Sequence, residues 1–226
     1  MKECLFALGT TLFVTLSVAT SHTAPGRTVA ISYEDTAYIR VIKERATKIV
    51  NGLGLKDSAT ALEVRDIVAH QYYDLNTVYM ERDARIKAVK DRPGVEKPAL
   101  DSVRKVAGEE VDKKIAVLHG QFLTRLAKDL NPQQVDGVKD GMTYNVLHVT
   151  YRAYEEMLPN LTEEQKARIL SDLTEAREHA MDAESSEKKN AWFGKYKGRI
   201  NNYLSAAGID MKKAGEDWAK RRANGQ

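Results

Sequence analysis

Cysteine, proline, glycine and an excess of one charge are all scarce in this chain of 226 residues. The single cysteine, Cys4, excludes an internal disulfide framework and a zinc site built from thiolates. With 5 prolines and 14 glycines, the chain is neither collagen-like nor dominated by loops. The 35 Lys and Arg residues nearly balance 32 Asp and Glu residues, for a formal net charge of +3. This balance argues against the wholly basic surface of a nucleic-acid-binding protein, so we expect no nucleic-acid partner.

Hydrophobic residues make up 42% of the sequence, which is enough to form a packed core. At roughly 100–200 residues per domain, the length indicates a single domain. We therefore predict a signal peptide over residues 1–24 and one all-helical domain over residues 25–226.

The first segment has the layout of a secretory signal. Lys2 supplies a short cationic start, and an apolar run follows from Cys4 to Ala19 (CLFALGTTLFVTLSVA). This run is shorter than the roughly 20 residues that a membrane-spanning helix needs, although a retained N-terminal anchor is the alternative. Cleavage can fall after one of three small residues, Ala19, Ser21 or Ala24. We expect a periplasmic or secreted protein without stable membrane insertion after cleavage.

Beyond Tyr38 the apolar residues recur at helical spacing, and no stretch shows the alternation of a strand. Two long periodic segments, over about residues 58–92 and 97–129, are joined by Arg92-Pro93-Gly94 and predict an antiparallel helical hairpin. Shorter helices follow, and capping residues mark where they begin. The predicted fold is all-α, with the long hairpin packed against a bundle of shorter C-terminal helices.

Motifs that carry enzyme chemistry are lacking. The sequence contains no His-Glu-x-x-His, no Gly-x-Ser-x-Gly and no glycine-rich phosphate loop. His179 and Asp182 lie three residues apart on a predicted helix and could both touch a metal ion, but one pair is not a site. We expect no catalytic residues, no metal and no cofactor.

Aromatic side chains concentrate among polar ones in two windows of the second half, which hold seven of the sixteen aromatic residues. A sugar ring stacks its CH face on an aromatic ring and needs fixed polar partners for its hydroxyls, and Arg or Lys suits the carboxylate of an acidic sugar. We expect segments 142–154 and 178–203 to share one cleft. Alternatively, these aromatics form the core of the C-terminal half. The candidate ligand-binding residues are Tyr144, Tyr151, His179, Asp182, Trp192, Tyr196, Arg199 and Asn202.

Several runs of the second half resemble a known family. They include Lys139-Asp-Gly-Met-Thr-Tyr144, Ala176-Arg-Glu-His-Ala-Met-Asp182 and Ala191-Trp-Phe-Gly-Lys-Tyr-Lys-Gly-Arg-Ile-Asn-Asn-Tyr-Leu204. These runs closely resemble a family of exported Bacteroidota proteins known as domain of unknown function 3826, over residues 35–222. The resemblance implies an exported protein of polysaccharide utilisation that binds sugar, and it brings no catalytic residues with it.

We therefore expect a non-catalytic carbohydrate-binding accessory protein whose partner is a carbohydrate, an acidic plant glycan among the options. Two alternatives remain open. One is a glycan-active enzyme that uses groups within residues 177–202, namely Glu178, His179, Asp182, Tyr196 and Arg199. The other is a periplasmic helical chaperone, because Leu161-Thr-Glu-Glu-Gln165 resembles the Leu-Thr-x-x-Gln signature of such proteins.

Overall fold

In the computed structural model, which describes residues 33–225, all of the regular structure is helical. No strand occurs within this range, which confirms the all-α prediction. The predicted signal peptide over residues 1–24 lies outside the described residues. No helix in the described range is long and apolar enough to cross a membrane. The helices are α1 (Tyr33–Asn51), α2 (Ser58–Lys90), α3 (Lys97–Leu126), α4 (Pro132–Met142), α5 (Val146–Met157), α6 (Glu163–Met181), α7 (Ser186–Ala206) and α8 (Met211–Ala223).

The two longest helices, α2 and α3, form an antiparallel hairpin. Two ion pairs between them run in opposite chain directions: Glu81 with Lys114 at 2.7 Å, and Arg85 with Glu110 at 2.5 Å. Gly94 makes the connecting turn in the left-handed conformation, with φ of +75°. Both helices end two or three residues before the predicted bounds at 92 and 129, because the chain already turns there.

Two hydrophobic clusters divide the helices into two halves. The first joins the hairpin to α1 and α4 around Phe122 and Met142, and the second joins α5, α6, α7 and α8 around Leu173 and Ile200. Helix α6 contributes to both, because its last residue, Met181, packs into the first cluster. The end of α6 is therefore where the two halves of the described chain meet.

The repeated Leu-x-x-x-Gln pattern of the sequence forms two matching helix starts. Asn131 and Gln134 exchange side-chain and backbone hydrogen bonds of 2.9 and 3.0 Å at the start of α4. Thr162 and Gln165 do the same at the start of α6, at 3.2 and 3.0 Å. Both are capping boxes, which satisfy backbone N–H groups that a helix start leaves free. Local capping therefore accounts for the motif that favoured a chaperone.

Candidate ligand-binding site

A cavity of about 280 Å³ lies between α1, α2, the α4–α5 turn and the α6–α7 connection. We call it the tyrosine cavity, because four tyrosines and two cations line it: Tyr38, Tyr72, Tyr79, Tyr144, Arg45 and Lys189. Asn76, Ser185 and Ser186 add hydrogen-bonding groups to its wall. Its aromatic walls with a few convergent polar groups are typical of small-molecule sites.

Two of the four tyrosines come from one face of α2. Tyr72 and Tyr79 are seven residues apart, which is about two helical turns. The Tyr38 hydroxyl donates a 3.1 Å hydrogen bond to the Tyr72 carbonyl, and the Tyr79 hydroxyl donates one of 3.0 Å to the Asp182 carbonyl. Burial raises the pKa of the Tyr38, Tyr72 and Tyr79 phenols above the ordinary value. These three hydroxyls therefore stay neutral at neutral pH; those of Tyr38 and Tyr79 donate their single proton to the backbone and can accept a hydrogen bond from a ligand.

Tyr144 sits at the cavity on an unusual backbone. Its φ is +57° and that of the next residue, Asn145, is +59°, in the left-handed region that side chains with a Cβ disfavour. The Tyr144 side chain is 53% exposed, and its hydroxyl shares a 2.7 Å hydrogen bond with the hydroxyl of Ser186. Such strain is a recurrent feature of functional sites, where it holds a side chain in place.

Lys189 is a buried cation in the wall of the cavity, with 6% of its surface exposed. Its Nζ donates hydrogen bonds of 3.0 and 2.8 Å to the carbonyls of Ala180 and Met181, at the C-terminal end of α6. Burial lowers the pKa of this amine to about 8, although nearby Asp182 acts in the opposite direction. The amine is thus predominantly charged at neutral pH.

The charges around the cavity are unevenly matched. Its two carboxylates, Asp83 and Glu184, both pair with Arg82, at 2.7 and 2.5 Å. Neither Arg45 nor Lys189 has a carboxylate oxygen within 4.0 Å among the residues that the structure describes. Arg45 and Lys189 therefore bring two positive charges to the cavity that no carboxylate in the described part of the chain pairs with directly, an arrangement that favours an anionic group.

Asp182, one of the predicted ligand-binding residues, is 5% exposed and contacts the cavity through its carbonyl, which accepts the hydrogen bond from Tyr79. Its carboxylate lies 2.6 Å from Nδ1 of His119 and accepts a 3.4 Å hydrogen bond from the side chain of Gln71. The hydrogen bond to Asp182 raises the pKa of His119. Asp182 thus ties α6 to both helices of the hairpin, and its carboxylate is occupied by protein groups.

Four other predicted residues form a separate cluster on α6 and α7, which we call the stacked cluster: His179, Trp192, Tyr196 and Arg199. The rings of His179 and Trp192 stack at 4.4 Å, and the Arg199 guanidinium lies 5.7 Å from the Tyr196 ring centre. None of the four lines the tyrosine cavity. The residues expected in a single cleft are therefore divided: Tyr144 lines the cavity, and Trp192 belongs to the separate cluster. Trp192 lies about 9 Å further along α7 than Ser186, the partner of Tyr144.

The other two predicted residues also lie away from the cavity. Tyr151 packs against the second hydrophobic cluster, and Asn202 is exposed on α7. Within the same two windows, Tyr154, Phe193 and Tyr196 are at most 5% exposed and belong to that cluster. The alternative interpretation of the aromatics as core therefore holds for these three.

The sequence analysis missed most of the cavity. Tyr38, Tyr72 and Tyr79 fit the helical spacing of apolar residues, and Arg45 is an exposed charge on α1, so the sequence alone does not distinguish them as site residues. Lys189 did leave a usable signal: it continues the helical spacing of the buried residues Phe193 and Tyr196 on α7. A lysine that occupies one of the positions of an apolar helix face indicates a buried ammonium group.

The groups of the alternative enzyme hypothesis form two separate sets: Glu178 and Asp182 both contact His119, whereas His179 and Arg199 lie against the Tyr196 ring. The Glu178 carboxylate accepts a 2.9 Å hydrogen bond from Lys139, while His179 stacks on Trp192 and Asp182 contacts His119. Between residues 33 and 225, no three His, Cys, Asp or Glu side chains are arranged to hold a metal ion.

The described residues form an all-helical protein with a small cavity lined by aromatic and cationic side chains. The chain belongs to the family described as Protein of unknown function (DUF3826), whose model matches residues 39–223. This match confirms the family resemblance seen in the sequence. A comparison with curated proteins finds no match.

Proposed function

We propose that this protein binds an acidic carbohydrate in the tyrosine cavity and acts without breaking a bond. The observation that supports this most directly is the combination of four tyrosine rings with two cations that have no carboxylate partner among the described residues. A neutral apolar ligand would gain nothing from the two positive charges, and a simple anion would make no use of the rings.

Each part of an acidic sugar has a matching group in the cavity. The CH face of a sugar ring packs on a tyrosine ring, and its hydroxyls exchange hydrogen bonds with Asn76, Ser185 and the tyrosine hydroxyls. The carboxylate suits the planar fork of Arg45 and the ammonium of Lys189. A volume of about 280 Å³ is at the small end of ligand pockets, which suits a single sugar unit.

We further propose that the protein is an accessory of polysaccharide utilisation, in the periplasm or secreted. The support comes from the signal-like layout of residues 1–24 and from the family resemblance, which points to exported proteins of Bacteroidota. A non-catalytic role fits the lack of a catalytic motif in the sequence and the dispersal of the acid–base groups described above.

Calorimetric titration with galacturonic acid and with galactose tests the proposal, because the two sugars differ mainly in the carboxylate. A charged hydrogen bond contributes about 1.5–3 kcal/mol, so we expect galacturonic acid to bind at least about 10-fold more tightly. Arg45→Met should reduce this preference, because only the Lys189 ammonium then remains for the carboxylate. Arg40→Met, an exposed arginine of the same helix that does not line the cavity, is the matched control. Equal binding of both sugars, or equal effects of both variants, would contradict the proposal.

A further inference from the structure

A second concave surface lies between α5 and α8 and is larger and more open than the tyrosine cavity, at about 710 Å³. Its walls come from one face of each helix, since its residues recur three or four positions apart. We call it the arginine groove, because three arginines line it together with one acid and three apolar residues: Arg152, Arg221, Arg222, Glu156, Val149, Ala153 and Trp218.

Two of these arginines are held in place by the protein. Arg221 donates hydrogen bonds from Nη2 to the carbonyls of Glu156, at 2.9 Å, and Met157, at 3.2 Å, where α5 ends. The Arg222 guanidinium lies 5.2 Å from the ring centre of Trp218. Because their positions are held this way, less side-chain freedom is lost when they bind a ligand.

The groove has more positive charge than its own residues neutralise. None of its three arginines has a carboxylate oxygen within 4.0 Å in the described part of the chain, whereas Arg168 and Arg177 on α6 are both paired with aspartates. Glu156 is the one acid of the groove. Three like charges facing the same space repel one another, and an anionic ligand removes that cost.

The walls between the arginines are apolar. Val149 is 63% exposed, and the Trp218 ring and Ala153 extend the same apolar surface. An open groove with apolar walls and several planar guanidinium groups suits an extended ligand that combines CH faces with planar carboxylates.

We propose that the arginine groove is a second site, which binds the carboxylates of an anionic polysaccharide chain. The identity of the ligand as a glycan rests on the proposed function, whereas its anionic character rests on the groove alone. A polymer that also reaches the tyrosine cavity of the same or another molecule gains affinity from both contacts.

The probe is polygalacturonate, with its fully methyl-esterified form as the uncharged control. Arg152→Gln/Arg222→Gln removes two charges of the groove, and Lys212→Gln/Lys213→Gln removes two exposed charges of α8 that do not line it. We expect the groove variant to bind polygalacturonate about 10-fold more weakly and with a shallower salt dependence, since two ionic contacts are lost. The lysine variant should bind as the unmodified protein does. Thermal unfolding of both variants shows whether the fold is intact.

Two further measurements separate this proposal from the previous one. If monomeric galacturonic acid does not bind but the polymer binds through Arg152 and Arg222, the tyrosine cavity proposal fails and the groove proposal stands. If the groove variant and the lysine variant bind the polymer equally, the groove proposal is overturned. It is also overturned if the protein binds phosphatidylglycerol vesicles and not the polymer, because the groove would then recognise a lipid surface.

Discussion

Replacing Tyr144 by glycine and by alanine measures the backbone strain at the tyrosine cavity. Both variants lose the same ring and the same hydrogen bond to Ser186, so their difference in stability reports on the backbone alone. With φ at +57°, the alanine variant keeps the left-handed conformation that a Cβ disfavours, whereas the glycine variant relieves it. We expect Tyr144→Gly to be the more stable of the two.

The size of the difference follows from two opposing effects. A residue with a Cβ costs about 1–2 kcal/mol in the left-handed region. Against this, the glycine variant is destabilised by about 0.5–1 kcal/mol, because glycine has more conformational freedom in the unfolded chain. The net difference in unfolding free energy is therefore up to about 1.5 kcal/mol in favour of Tyr144→Gly, or up to about 6 °C in melting temperature for a domain of this size.

Urea unfolding followed by circular dichroism measures this difference, with Lys113 as the reference position. Lys113 is exposed inside α3, so there alanine should be more stable than glycine by about 1 kcal/mol. Glycine should thus be the more stable substitution at position 144, and alanine the more stable one at position 113. If Tyr144→Ala equals or exceeds Tyr144→Gly in stability, the turn carries no strain and the reasoning fails. Both variants should weaken galacturonic acid binding equally, because both lack the ring.

Two further predictions concern packing and pH. Gly141→Ala should lower the unfolding free energy by about 1–2 kcal/mol, because a Cβ there would meet three atoms of the stiff Ile49 side chain at 2.8–3.3 Å. The control, Gly198→Ala on α7, has open space around it and should raise the unfolding free energy by up to about 1 kcal/mol. Thermal unfolding measures both, and equal effects would contradict the packing. Asp182 raises the pKa of His119, so the pair's stabilisation should be complete below the ordinary pKa of 6.5 and decline as the pH rises through the folded value. Unfolding of the wild type and of His119→Gln across this range checks the sign, and a stability difference that grows with pH would refute it.

Helix positions and helix starts could be read from the sequence, because they depend on neighbours within a turn or two. The capping boxes at Asn131 and Thr162 each involve only four residues, so the sequence pattern specified both starts of α4 and α6. Gly208 follows α7 with φ of +88°, the left-handed conformation in which a glycine commonly ends a helix. The all-α class follows from the same short-range periodicity.

The site was decided by tertiary packing. His179 and Asp182 are three residues apart, yet His179 stacks on Trp192 of α7 while Asp182 shares its partner, His119 of α3, with Glu178. Helical spacing placed the two residues near one another, but which neighbouring helix each side chain contacts depends on how α3 and α7 pack against α6. The left-handed backbone of Tyr144 likewise has no local signal such as glycine, since surrounding contacts hold it there.

The tyrosine cavity exists because distant segments pack together at the end of α6. Tyr38, Tyr72 and Tyr144 come from three separate parts of the chain, and each alone is a plausible member of an apolar or surface face. The sequence by itself determined which residues are helical and which helix faces are apolar. Which of these faces meet, and which side chains are left facing a shared cavity, depends on long-range packing that a local pattern does not encode.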